Sequence, residues 1–129
     1  MAILSQHPYS QFNFLLDLGS GAAGPHAGFQ ECSAIQKLAG LNKSAEVTLK
    51  RGVINSAQLQ QWLDQIRKND KARHRTVKVM QQDEEHNIVQ TWKLLRGRII
   101  KHISGPRNAK GGDVAIEELV IAYERQDLD

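Results

Sequence analysis

Seven short runs of alternating polar and apolar residues restrict this chain to a mainly β fold. In the first run, Phe12, Phe14, Leu16 and Leu18 share one face, as expected where successive side chains point to opposite faces of a sheet. Turn-forming residues separate the runs, for example the Gly-rich stretch at 19–28. We therefore predict a small antiparallel β-barrel or a sandwich of two sheets, with strands at 12–18, 27–35, 45–53, 75–82, 87–95, 97–104 and 114–124.

One segment, residues 55–70, has helical periodicity instead. Asn55 is a good N-cap residue, and Gln58 stands three residues further on, as in a capping box. Apolar side chains then recur at positions i, i+3, i+4 and i+7, which gives the helix a single apolar stripe. We predict that this helix flanks the barrel and is anchored in the core by Leu59, Trp62, Leu63 and Ile66.

The composition is that of one globular domain, residues 1–129. Hydrophobic residues make up 40% of the chain and charged residues 24%, and a formal net charge of +3 permits nucleic-acid binding without indicating it. Cys32 is the only cysteine, so an intramolecular disulfide is excluded. The N-terminus lacks the features of a signal peptide, and no run approaches the length of a membrane span. We predict a protein made in the cytoplasm, without membrane insertion.

No combination of residues indicates catalysis, a metal or a cofactor. Cys32 has no partnered His at a recognisable spacing and is interpreted as a small buried or half-buried thiol. His86 lies beside three acids in a turn, without a second cluster of metal ligands. His102 and Asp113 could meet in space, but no nucleophile accompanies them. We therefore predict no catalytic, metal or cofactor residues and no enzyme activity.

The last strand carries mostly apolar residues on both faces, a pattern typical of strands buried in two layers or in an interface. One helix cannot cover so much apolar surface, so we expect copies of the chain to associate. Lys50 and Arg51 form a basic corner just before the helix. This corner has two explanations, contact with a neighbouring copy or a solvated turn. The predicted subunit interface comprises Lys50, Arg51, Gly52, Leu119 and Ile121.

Six segments, in this order along the chain, resemble the tail-tube proteins of contractile phages and of phage-like extracellular contractile injection systems. They are "YSQFNFLLDL" (9–18), "AGFQECSAI" (27–35), "VTLKRGV" (47–53), "WLDQI" (62–66), "TWKLL" (91–95) and "GPRNAKGGDVAIEELVIAYE" (105–124). The similarity spans nearly the whole chain, and it is the ordered set, more than any single piece, that makes it specific.

The resemblance implies a ring-forming β-barrel, six copies of which form a ring. Rings would stack into a hollow conduit for an effector or DNA, as the main tube or as a tube-initiator ring. It also implies a surrounding sheath, a baseplate hub or spike at one end, and pairing of Lys50 and Arg51 with acids of a neighbouring copy. The alternative is a small basic β-barrel that binds nucleic acid or a small ligand, which an aromatic content of only 5% disfavours.

The chain departs from this family pattern at the junction of Gln36 and Lys37. Proteins of this kind usually carry a further strand segment and a long loop at this position, and the loop reaches an adjacent ring. Here residues 32–36 run directly into "KLAGLNKS" (37–44). Either the protein lacks the loop, which would suit a specialised ring at one end of the tube, or the protein contains it and the present sequence omits it.

Overall fold

The computed structural model describes residues 9, 11–19, 25–33, 45–68, 75–105 and 113–128. These residues form seven strands and one helix. In chain order they are β1 (Phe14–Asp17), β2 (Ala27–Cys32), β3 (Ala45–Asn55), α1 (Ser56–Arg67), β4 (Arg75–Gln82), β5 (Ile88–Ser104), β6 (Asp113–Tyr123) and β7 (Arg125–Leu128). The junction of Gln36 and Lys37 lies outside the described residues.

Six of the strands close into an antiparallel barrel, and the seventh lies outside it. Their order is β4-β1-β2-β3-β6-β5, and β5 pairs back onto β4 to complete the circle. The predicted mainly β fold with one helix is confirmed. Hydrogen bonds link each strand to the next all the way round, so the barrel is one closed sheet rather than two separate ones.

The prediction of separate strands at 87–95 and 97–104 is wrong. These residues form one strand of 17 residues, β5, which bends at Arg96 without ending there. Arg96 has a φ of 56°, in the left-handed region, and the ladder with β4 shifts its register between Arg75 and Val77, opposite the bend. A bulge of this kind turns a strand and raises its twist without breaking the hydrogen-bonded ladder.

Strand β7 was not predicted, and it is the outward continuation of β6. Arg98 of β5 pairs with Ala122 of β6, and Leu95 pairs with Arg125 of β7 in the same register. Glu124 lies between the two strands and follows the bend, because its N–H donates to the Leu95 carbonyl at 3.0 Å and its carboxylate accepts from Arg96 Nε at 2.8 Å. Strands β5, β6 and β7 thus form one long, bent hairpin.

Helix α1 begins where the sequence places its cap and turns its apolar stripe toward the barrel. Asn55 Oδ1 accepts a hydrogen bond from the Gln58 N–H at 3.1 Å, which satisfies one of the free donors of the first turn. The four anchor residues of the helix all belong to the core or pack against it. Leu59 and Trp62 are buried, and Leu63 and Ile66 are half-buried against them.

The core is filled by all six barrel strands and the helix, and Trp62 is its largest fully buried side chain. The guanidinium of Arg75 lies over the Trp62 ring, with Cζ 5.3 Å from the ring centroid. Arg75 is itself buried, and it donates to Gln65 Oε1 at 2.7 Å. The indole therefore packs against apolar side chains and a cation that has a second partner on the same helix.

We expect Trp62→Ala to lower the free energy of unfolding by about 3–5 kcal/mol, because it leaves a large cavity in a close-packed core. Gln61→Ala is the matched control, since Gln61 is its exposed neighbour on the same helix and should change stability by less than about 0.5 kcal/mol. Chemical denaturation measures both values. A loss below about 1 kcal/mol for Trp62→Ala would show that the helix is not anchored through this residue.

Candidate assembly surface

The basic corner predicted from the sequence lies where three neighbouring strands change the face that they turn toward the core. On β3, Val47 and Leu49 point inward before the corner and Ile54 points inward after it. Leu49 and Ile54 are an odd number of residues apart, so the inward face changes between them. The same odd spacing separates core-facing residues on both neighbours, Phe29 and Cys32 on β2 and Ile116 and Leu119 on β6.

The change occurs at one row of residues, Gln30, Arg51 and Glu117, which we call the switch row. Gly52 and Lys50, on either side of Arg51, pair in one constant register with both neighbouring strands. Arg51 has a φ of 57°, in the left-handed region that a non-glycine residue seldom adopts. A local backbone rotation at this row therefore moves the following residues to the opposite face without shifting the ladder.

Position 52, next to the switch row, requires glycine because the backbone of β2 comes too close to leave room for a side chain. A Cβ atom placed on Gly52 would overlap the Gly28 carbonyl oxygen and would lie only 2.8 Å from the Phe29 Cα. Both atoms belong to the backbone of a paired strand, so neither can move away cheaply. The "RG" of the corner is thus explained by the fold itself, since Arg51 supplies the rotation and Gly52 supplies the space.

The Arg51 charge in the switch row already has a partner within the chain. The Arg51 guanidinium forms an ion pair with the Glu31 carboxylate, and both groups are exposed. Lys50 is exposed and lies in register between Glu31 on β2 and Glu118 on β6. Glu118 forms an ion pair with Lys101, whose Nζ lies 3.3 Å from the carboxylate. Pairing of Lys50 and Arg51 with acids of another copy stays a prediction, and for Arg51 such pairing would have to compete with the ion pair to Glu31.

Leu119 and Ile121 have no exposed surface in the structure, and this corrects their proposed place in an interface. Both are fully buried in the barrel core. The apolar residues on the two faces of β6 arise in part from the switch row, because Ile116 and Leu119 both point inward although they are three residues apart. A contact surface on the described part of the chain must use other apolar side chains.

The residues considered for catalysis lie apart. Burial raises the pKa of the Cys32 thiol to about 12, which disfavours the reactive thiolate. Asp113 accepts a hydrogen bond from the Tyr9 hydroxyl at 2.8 Å, whereas His102 pairs with Leu119, further along β6. The described residues hold no group of three or more potential metal ligands. They also include no helix that is long and apolar enough to cross a membrane.

The turn between β4 and β5, residues 83–87, is held together by Asp83. Its carboxylate accepts hydrogen bonds from the N–H groups of Glu85 at 2.9 Å and Asn87 at 3.0 Å. The hydrogen bond from Asn87 is the main reason that the pKa of Asp83 lies below its ordinary value. Every residue from Asp83 to Val89 is exposed, so this turn projects from the barrel as a defined acidic surface.

The exposed apolar side chains of β5 are not among the interface residues predicted from the sequence. Four large apolar side chains are exposed among the described residues, namely Ile88, Val89, Ile100 and Ile103. The alternating pattern identified the strand segments but could not show how far they extend beyond their neighbours. The exposure of these side chains could have been predicted only by comparing where β5 and its neighbouring strands end. That comparison requires the pairing register.

The fold and this surface define the protein as a small closed β-barrel with apolar strand ends available for contact. The chain belongs to the T4-like virus tail tube protein gp19 family, whose family model matches residues 26–127. It is therefore a structural tube subunit of a contractile system. A search of curated protein sequences found no match.

Solved structures with the same fold come from an extracellular contractile injection system, PVC, and from the anti-feeding prophage. One is the sheath-tube complex of the PVC system in the extended state, with a TM-score of 0.51 and 15% identity over 99% of this chain and 95% of the other. Another is the baseplate of the anti-feeding prophage, 6-fold symmetrised, with a TM-score of 0.53 and 20% identity over 96% and 97%. The tube-terminating cap of the same prophage gives a TM-score of 0.51 and 13% identity over 96% and 92%.

We expect Gly52→Ala to destabilise the barrel by about 1–3 kcal/mol, because the added methyl group meets backbone atoms that cannot move. Gly105→Ala is the matched control, since the atom nearest to its added Cβ is the Ala115 side-chain methyl at 3.1 Å, and we expect a smaller loss. Thermal and chemical denaturation of the two variants measure the difference. Equal stability of both variants would contradict the role assigned to Gly52.

We expect the stability that Asp83 contributes to depend on pH. Its pKa is lowered in the folded state, so the contribution is present above the unfolded pKa of about 4 and is lost as the pH falls through the folded pKa. The difference in free energy of unfolding between the native chain and Asp83→Asn should therefore shrink as the pH is lowered below about 4. Glu84→Gln, which removes a neighbouring charge, is the control, and a constant difference for Asp83→Asn would contradict this prediction.

Proposed function

We propose that six copies of this chain form a ring and that rings stack into the hollow inner tube of a contractile tail or injection system. The family match over residues 26–127 carries this proposal. The 6-fold symmetrised baseplate among the structures with this fold supports the number six. The exposed apolar side chains at the ends of β5 support association, because apolar side chains exposed close together often mark a contact with another protein.

The proposed partners follow from the assemblies in which this fold has been seen. Those assemblies include a sheath-tube complex and a baseplate, which supports a sheath around the tube and a baseplate hub or spike at one end. The payload in the lumen would be an effector or DNA. The proposal includes both the main tube and the tube-initiator ring, since tube, cap and baseplate structures share the fold.

The role of the chain in this proposal is mechanical and not enzymatic. It would be made in the cytoplasm and then act as part of an assembled phage tail or extracellular particle, without membrane insertion. The raised pKa of Cys32 and the separation of His102 from Asp113 support a non-catalytic role. Rigidity is what such a subunit requires, and a closed barrel with a tightly packed core supplies it.

We expect the purified chain at micromolar concentration and above to form rings or rods in negative-stain images, with a mass by light scattering that is a multiple of six chains. Lys50→Glu should weaken assembly, because it places a third carboxylate between Glu31 and Glu118 at the corner. Lys68→Glu makes the same change of charge at the exposed end of the helix and serves as the control.

Two outcomes would contradict the proposal at different levels. A strictly monomeric species across the concentration range, with no rods even when a baseplate template is supplied, would contradict the tube subunit itself. Normal assembly of Lys50→Glu would contradict only the part that the basic corner plays in the contact. Circular dichroism of each variant separates loss of assembly from loss of folding.

A further inference from the structure

The two ends of β5 carry the four large apolar side chains that are exposed in the described part of the chain. Ile88 and Val89 lie at one end and are 50% and 56% exposed, and Ile100 and Ile103 lie toward the other end and are 44% and 42% exposed. Ile88 and Val89 are adjacent, so they point to opposite faces of the strand. Both faces of this end are therefore available for contact.

At each of these ends, one edge of β5 has no paired strand among the described residues. At residues 88–91, β4 pairs with one edge of β5, while β7 reaches the other edge only as far as Trp92. At residues 98–104, β6 pairs with one edge, while the described pairing with β4 reaches only from Arg75 to Gly97. Since β6 and β7 lie on the side of β5 opposite β4, the two edges left open by the described strands are on opposite sides of the same strand.

The charges at the two ends are complementary. Residues 83–89, which we call the acidic end, contain Asp83, Glu84 and Glu85 with no Lys or Arg. Residues 98–104, the basic end, contain Arg98, Lys101 and His102 with no Asp or Glu. Lys101 also forms an ion pair with Glu118 across the hairpin, so its charge is partly offset. The basic end nevertheless offers apolar side chains and cations where the acidic end offers apolar side chains and carboxylates.

We propose that the acidic end of β5 in one copy binds the basic end of β5 in the next copy, with Ile88 and Val89 against Ile100 and Ile103. This inference rests on the proposed function and names the surface through which neighbouring copies meet. Joined open edges would extend one sheet into the next by strand addition. Because the two surfaces differ, the contact is heterologous, and repeated application of it closes into a ring if the rotation permits.

Site-directed crosslinking tests this pairing without removing an apolar core residue. In a Cys32→Ser background, which removes the only cysteine, one chain carries Val89→Cys and a second carries Ile103→Cys. A short bis-maleimide should link the two when they are assembled together, while neither variant should crosslink when assembled alone. Thr76→Cys, at an exposed position on β4, is the control when assembled with either variant.

A second variant measures the energetic part of the inference. Ile103→Asp should weaken association by at least roughly tenfold, because it replaces an apolar contact with a carboxylate that faces the acidic end. Lys68→Asp, on the exposed end of the helix, should leave association unchanged. Thermal unfolding of each variant distinguishes weakened association from misfolding.

The possible results separate this inference from the proposed function. Crosslinking of Val89→Cys to Ile103→Cys above the level of the Thr76→Cys control supports the pairing. Rods or rings in which this pair does not crosslink, or in which Val89→Cys crosslinks to itself, overturn the pairing and leave the tube subunit standing. The absence of any assembly under all conditions overturns both.

Discussion

Three paired strands of the barrel must change their inward-facing residues together, and the rest of the fold depends on this coordination. Side chains alternate along a strand, so a change of face in one strand alone would place its polar residues among the apolar residues of its neighbours. Strands β2, β3 and β6 make the change at the switch row. The left-handed backbone of Arg51 and the close approach at Gly52 allow it. Both halves of β3 therefore contribute side chains to a single core. Ile54, near the end of β3, extends that core to the start of the helix.

The switch row also explains why the last strand suggested an interface. The alternation in "VAIEELVIAYE" is broken in the middle, and an analysis that assumes one phase for the whole strand assigns apolar residues to both faces. In the structure Ile116 and Leu119 both point into the core. Val120 and Ala122 are also buried, so the opposite face of β6 is covered as well. The expectation that copies associate keeps its support from the family and from β5, but not from the side chains of Leu119 and Ile121.

Elements that depend on nearby residues could be predicted from the sequence, whereas those that depend on distant pairing could not. The helix was placed within a few residues because its cap and its stripe are local, and β4 was placed with its bounds intact. Strand β7 has the polar sequence "RQDL" and no alternating apolar pattern; it forms because β5 offers it a hydrogen-bonding edge. For the same reason the exposed ends of β5 were missed, since the sequence does not state where the neighbours of a strand stop. The sequence of Lys50, Arg51 and Gly52 is unusual for a strand, and the structure explains most of it by the left-handed backbone of Arg51 and the lack of space at Gly52.

Closure of the barrel leaves open edges in a restricted arrangement. Each barrel strand pairs with two neighbours, which shortens the open edges that invite uncontrolled aggregation. Strand β5 is the longest of the described strands, and its two ends extend beyond different neighbours on opposite sides. Open edges on the same side would favour a two-fold dimer, in which each surface meets its own copy. Open edges on opposite sides favour addition in one direction, and a fixed rotation at each step then gives a ring. The length difference between two paired strands can thus determine whether a closed barrel remains alone or becomes one segment of a larger wall.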